Sequence, residues 1–155
     1  MGPQRKTVRL PQNRYGAGAY YFITVCTKNR ARSLGTVTGE AAQAHTVLSS
    51  LGRAAEQNLL AVGEHYPGVT VETYVIMPDH VHMVLVIGCN GPGTQSAATV
   101  PRVMNAWKAS VSRAAGGPVW QRSYYEHVIR GQQDHDEIAR YIENNPRQWV
   151  LDGKG

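Results

Sequence analysis

Residues 75–87 read VIMPDHVHMVLVI. The apolar, β-branched character is that of a buried strand. Yet His80 and His82 lie inside the run, and Asp79 stands just before it. Burying an imidazole costs free energy unless a partner meets it. The stretch therefore demands a sheet whose histidine-bearing face meets polar groups or a ligand. Side chains alternate along a strand, so positions i and i+2 share a face. His80 and His82 project together, while Val81 and Met83 point the other way. Two parallel imidazoles form a natural bidentate metal site. They suit a polar, hydrogen-bonded or solvated sheet surface equally well, and the pair alone does not choose.

The rest of the chain supplies the sheet. YYFITVCT (20–27) reads as a first strand, after a turn-rich stretch at 11–20. Residues 41–63 carry Leu48, Leu51, Ala55, Leu59 and Val62 at spacings of three and four, a helical pattern. The segment 66–68, Tyr-Pro-Gly, breaks it. VTVETYVIM (69–77) and HVHMVLVI (80–87) follow as two strands, and a Gly-rich loop occupies 88–96. A second amphipathic helix is expected over 100–115, with Val100, Val103, Met104, Trp107, Val111 and Ala114 on one face. AGGP (115–118) ends it. VWQRSYYEHVIR (119–130) reads as a last strand. DHDEIARYIENNP (134–146) reads as a final helix, with Asp134 as its cap, Glu137 completing a capping box, and the Asn145-Pro146 step closing it. The order is β-α-β-β-α-β with an additional C-terminal helix. It predicts an α+β, ferredoxin-like, mainly antiparallel sheet with two helices packed on one face.

A chain of 155 residues is long enough for one domain with a real core. Residues 1–155 are read as a single domain with a basic N-terminal arm over about 1–18. No run approaches the ~20 apolar residues of a membrane helix, and the N-terminus has no apolar signal core. A cytoplasmic location is expected. Cys26 and Cys89 are far apart and form no CxxC pair, so they are read as two reduced thiols rather than zinc ligands. The net charge of +5 is concentrated. Arg5, Lys6, Arg9 and Arg14 precede residue 15 with no acid among them. Arg102, Lys108, Arg113 and Arg122 fall in a second acid-free block, 91–123. Two such blocks point to a polyanionic partner such as nucleic acid. In the last predicted helix Tyr141 and Asn145 stand four apart, on one face with Ile138 and Ile142. By themselves they fit a core aromatic and a helix-end residue.

Three blocks together resemble a known family. PDHVHMVL is similar to the His-hydrophobic-His motif of single-tyrosine HUH transposases. WQRSYYEHVIR followed by ARYIENNPRQW resembles the C-terminal signature of bacterial REP-associated tyrosine transposases. RKTVRLPQNRY with GAYYFITVCTKNR resembles their N-terminal strand. The likeness runs from about residue 5 to 150. It implies a ferredoxin-like core that nicks and rejoins single-stranded DNA at hairpins, in the bacterial cytoplasm and associated with the nucleoid. At matching positions it implies that Tyr141 is the nucleophile and that His80, His82 and Asn145 hold a divalent metal, Mg²⁺ or Mn²⁺. Asp79 falls at a supporting position, and His127 is a candidate base or DNA contact. The basic residues named above would contact DNA, and Tyr15, Trp120 or Tyr124 would stack on unpaired bases. Relatives of this kind act as monomers or homodimers. Rival readings are a hairpin-DNA-binding protein derived from such a transposase without its catalysis, a metal-dependent hydrolase using water, and a plain interaction protein.

Overall fold

The computed structural model describes residues 18–88 and 98–154. The basic arm with Arg5, Lys6, Arg9, Arg14 and Tyr15, and Cys89 with most of the Gly-rich loop, lie outside the described residues. The main sheet contains β1 (Ala19–Cys26), β4 (Val69–Met77), β5 (His80–Ile87) and β6 (Tyr125–Val128). Its order is β4-β5-β1-β6, and every neighbouring pair is antiparallel. With α1 (Ser50–Leu60) between β1 and β4, and α3 (Val100–Ala115) between β5 and β6, this is the ferredoxin-like arrangement that the sequence predicts.

Alternation along the strands sorts side chains into two layers. Ile23, Val25, Val81, Met83 and Leu85 belong to one buried cluster with Ala55 and Leu59 of α1 and Val103, Met104, Trp107 and Val111 of α3. The Trp107 indole N–H donates to the Ala55 carbonyl at 3.0 Å and ties the two helices. The opposite face bears Phe22 and Val84, covered by Ile138 and Ile142 of α4 (Gln132–Glu143). Strand β5 is thus roofed on both faces over most of its length. That explains why it reads as a continuous apolar run rather than an alternating one.

Several expected boundaries change. The first helical pattern does not run from 41 to 63. A 3₁₀ turn at Ala41–Gln43 lies between two short strands, β2 (Gly35–Thr38) and β3 (His45–Leu48), which pair as a separate hairpin. Helix α1 begins only after Ser49, whose hydroxyl accepts from the Gly52 N–H at 3.0 Å. Gly52 is needed there, because a Cβ would sit 2.0 Å from the Leu34 carbonyl oxygen. A one-turn α2 (Val62–His65) follows. Helix α3 matches its expected limits, capped by Thr99 and ended by Gly116 at φ 78°. The expected strand over 119–130 shrinks to Tyr125–Val128, with one isolated bridge between Trp120 and Thr27.

The final helix starts at Gln132, with Gly131 at its N-cap. Asp134 is therefore not the cap. It lies in the first turn, where its carboxylate accepts from the Arg130 N–H at 3.3 Å and meets His127 Nε2 at 2.8 Å. Nor does Pro146 end the helical region. It sits in the first turn of a further helix, α5 (Asn145–Leu151), where its missing N–H costs nothing. Trp149 of α5 packs with Val37 and Met77, fixing the small hairpin to the end of β4.

Candidate active site

The register places Cys26, His80 and Met77 opposite one another, and likewise Thr24, His82 and Val75. Both histidines therefore point to the layer that α4 and α5 cover. Their ring centroids lie 4.6 Å apart, and both residues are buried, at 9% and 4% exposure. Asn145, the first residue of α5, brings its Oδ1 to 3.3 Å from His80 Nε2. Tyr141 of α4 sets its ring 5.1 Å from that of His82 and is 53% exposed. Helical spacing puts both on the sheet-facing side, and the Asn145 amide N–H also donates weakly to the Tyr141 carbonyl, at 3.4 Å. The four residues line one cleft of about 290 Å³ together with Thr24, Arg30, Gln148, Trp149, Asp152 and Lys154.

Each imidazole is held from behind. His82 Nδ1 is 2.7 Å from the Thr24 hydroxyl, and its ring stacks on Phe22 at 5.5 Å. Burial above all, then the positive charges of His80 and Arg30, lowers its pKa to about 3. His82 is a neutral ring at neutral pH, with a lone pair to give. His80 Nδ1 is 2.7 Å from Asp79 Oδ1. A carboxylate only accepts, so Nδ1 carries the proton. Burial pushes the Asp79 carboxyl up, but the hydrogen bonds and charges of His80 and Arg30 outweigh it, and the group titrates below its ordinary value.

When His80 is neutral, this tautomer leaves a lone pair on Nε2, facing the amide oxygen of Asn145. Two acceptors at this distance repel unless a proton or a cation lies between them. The donor set, two imidazole nitrogens and an amide oxygen, suits a divalent cation in phosphoryl chemistry, with Mn²⁺ the better match to nitrogen. Among the described residues no group of three or more His, Cys, Asp and Glu is arranged to hold a metal, so a metal beside the two imidazoles would need the Asn145 amide as its third protein donor. The residues present fit the metal that the resemblance implies.

Arg30 was not singled out by the sequence. It follows Asn29 in a 3₁₀ turn, and both adopt left-handed backbone, at φ 53° and φ 57°. For Arg30 this costs roughly 1–2 kcal/mol, whereas asparagine enters the region more readily. The turn brings the Arg30 guanidinium to Asp79 Oδ2 at 3.2 Å and to the Cys26 sulfur at 3.0 Å, at the mouth of the cleft. Thr24, Gln148, Trp149, Asp152 and Lys154 were also missed. Trp149 packs beside His80, with the Arg32 guanidinium 4.9 Å and the Lys154 ammonium 5.4 Å from its ring centroid. Among these, only the alternation that pairs Thr24 with His82 was readable in principle.

Other expected residues lie elsewhere. His127 is on the same sheet face, but its partner is Asp134, and it does not line the cleft. Arg102 and Arg113 are exposed on α3, across the sheet from the histidines. The Lys108 ammonium donates to the carbonyls of Gln121 and Arg122, at 2.9 and 3.3 Å. Arg122 is exposed, just before β6.

Fold and cleft together define a ferredoxin-like domain with a His-His-Asn donor set beside an exposed helical tyrosine. A family described as "Transposase IS200 like" matches residues 17–145, and the chain belongs to it. An uncharacterized protein of Haemophilus influenzae is 32% identical over 96% of this chain and 91% of its own length. A second protein of that organism, provisionally named a REP-associated tyrosine transposase, is 26% identical over 83% of this chain and 70% of its own. A solved REP-associated tyrosine transposase bound to a REP hairpin shares the fold, with TM-score 0.63 and 19% identity over 96% of this chain and 73% of that one. A crystal structure provisionally assigned as a Deinococcus radiodurans transposase aligns at TM-score 0.51 and 19% identity, over 93% and 97% of the two chains.

Proposed function

We propose that this transposase-family chain is of the REP-associated type and cleaves and rejoins single-stranded DNA at hairpin elements, with Tyr141 as nucleophile. The observation that carries the reading is the half-exposed Tyr141 ring 5.1 Å from His82, in a cleft shared with Asn145 and two cations. The Tyr141 Oη attacks phosphorus, a new O–P bond forms, and the bond to the 3′ oxygen breaks. The phenolic proton is given up and the departing oxygen leaves as a 3′-hydroxyl. The 5′-phosphotyrosine keeps the energy of the phosphodiester, so a second 3′-hydroxyl reverses the step without ATP.

His80, His82 and Asn145 would hold Mg²⁺ or Mn²⁺, which when bound would neutralise charge on the phosphate and favour loss of the phenolic proton. Arg30 and Lys154 offer positive charge to the same phosphate. Thr24 and Asp79 orient the two rings. Tyrosine and histidines of one chain face the same cleft, so a monomer, or each half of a homodimer, has a complete set. A DNA substrate fits a cytoplasmic, nucleoid-associated protein.

The test is a labelled hairpin oligonucleotide with single-stranded flanks, from repeats near the gene, incubated with and without Mn²⁺. A DNA–protein adduct surviving SDS is expected, dependent on metal and absent from Tyr141→Phe. Hairpin binding with no adduct would favour the DNA-binding reading without catalysis. Cleavage without an adduct, indifferent to the substitution, would make water the nucleophile.

A further inference from the structure

Among the described Tyr, Trp and Phe side chains two are more than half exposed: Tyr141, at 53%, and Tyr125, at 57%. Both rest edge-on against the same buried ring. Phe22 lies 6.1 Å from Tyr141 at 89° and 6.2 Å from Tyr125 at 72°. Register places Tyr125 opposite Thr24, which is itself opposite His82. The three side chains form a row on one face of the sheet, from the cleft to its outer strand, β6. Two strand spacings of ~4.8 Å separate the ends of the row. Among the described residues the ring partner of Tyr125 is Phe22, met edge-on, and more than half of the Tyr125 surface is exposed beside the cleft.

Resting on the proposed DNA chemistry, we infer that Tyr125 is a stacking platform for an unpaired base next to the scissile phosphate. Tyr141 and Tyr125 would then divide the work. One reaches the phosphorus, and the other holds the neighbouring nucleotide so that the strand runs across Thr24 toward the edge of the sheet. Every base has a π face, so such a platform accepts any sequence and asks only that the base be unpaired. It therefore selects single-stranded flank over duplex stem.

The full chain and its Tyr125→Ala, Tyr125→Phe and Tyr125→Trp variants would be titrated with two hairpins, one with single-stranded flanks and one blunt. The flanks carry 2-aminopurine at each position in turn. Binding of the flanked hairpin should weaken roughly 5- to 150-fold in the alanine variant, and the aromatic variants should bind like wild type. One flank position should show stacking quench in wild type that alanine alone loses. Blunt hairpin should bind all four proteins equally, and their unfolding midpoints should agree. Unchanged flank affinity and quench in Tyr125→Ala would overturn the platform, even with the Tyr141 adduct intact. An equal loss on the blunt hairpin would overturn it in favour of a fold defect. Loss of the adduct in Tyr125→Phe, with Tyr141→Phe still forming one, would make Tyr125 the nucleophile instead. A wild-type protein that forms no adduct but shows the flank effect would sink the catalytic reading and keep the platform. No binding of either hairpin would sink both.

Discussion

Asp79 meets His80 at Nδ1, and that hydrogen bond would decide which ring nitrogen faces the proposed metal. Without it the imidazole can take the other tautomer or rotate away from Asn145. Removing such an outer partner commonly costs 10–100-fold in metal affinity, so about that loss is expected for Asp79→Ala. Titration of Mn²⁺, with the free ion read by electron paramagnetic resonance, measures it. Wild-type affinity in the variant would mean that Trp149 and Asn145 hold the ring unaided. At this scale the sequence was informative where chemistry follows a period. The i, i+2 histidines and the i, i+4 Tyr141–Asn145 pair were readable because strand and helix fix which side chains share a face. Arg30 was not, because its place depends on two left-handed residues that no pattern announces. Trp149 was not, because its packing on His80 and Met77 joins segments far apart in sequence.

Helix α4 carries Tyr141, and its docking has two parts. Ile138 and Ile142 cover Phe22 and Val84 at the cleft end. Nearer the N-terminus His135, 1% exposed, bonds through Nε2 to the Glu72 carboxylate. The register of β4 shifts between Val71 and Thr73, leaving Glu72 without a cross-strand partner. An extra residue of this kind re-aims its side chain, here toward the helix. Glu72→Ala would leave the buried imidazole without its acceptor, a cost of about 1–3 kcal/mol. Urea unfolding should show that loss, and an unchanged midpoint would mean that the isoleucines alone seat the helix.

On the other side of the sheet, the Tyr74 hydroxyl donates to Glu56 at 2.9 Å and joins β4 to α1. Burial first, then this hydrogen bond and the charge of Glu56, push the phenol up to about 12. An unfolded phenol titrates near ~10. The contribution is complete below the unfolded value and is lost as pH rises through the folded one. The stability gap between wild type and Tyr74→Phe should therefore narrow between about pH 9 and about pH 12, and a constant gap would contradict the linkage. Elements were legible to the extent that one pattern meant one structure. The Leu48–Val62 spacing belongs to a helix only from Ser50 onward. Leu48 keeps the period because the end of a strand packs it on the same core. The hairpin before it was hidden for that reason.

Among the described residues, two groups of cations fall on opposite sides of the sheet. Arg30 and Lys154 line the cleft, while Arg102 and Arg113 stand on α3, beyond the opposite layer of the sheet. Composition showed that the chain is basic, but only the strand order shows that these charges cannot all touch one phosphate. A hairpin engaging both groups must pass around an edge of the sheet. On the β6 side the exposed Arg122 and Tyr125 mark such a path. The α3 arginines would then grip backbone remote from the cut, and they should contribute affinity without contributing rate. Removing one arginine–phosphate pair lowers the slope of log K against log salt by about 0.7 for single strands and 0.9 for duplex. For the double variant Arg102→Ala, Arg113→Ala, binding of the flanked hairpin should weaken and its salt slope flatten by that amount per pair. The rate of adduct formation at saturating DNA should stay at the wild-type value. Fluorescence anisotropy across a salt series, with single-turnover cleavage alongside, separates the two quantities. An unchanged slope would make α3 a solvated face with no part in binding. A reduced saturating rate would mean that the strand reaches the cleft only when α3 holds it, and that binding and positioning are one event.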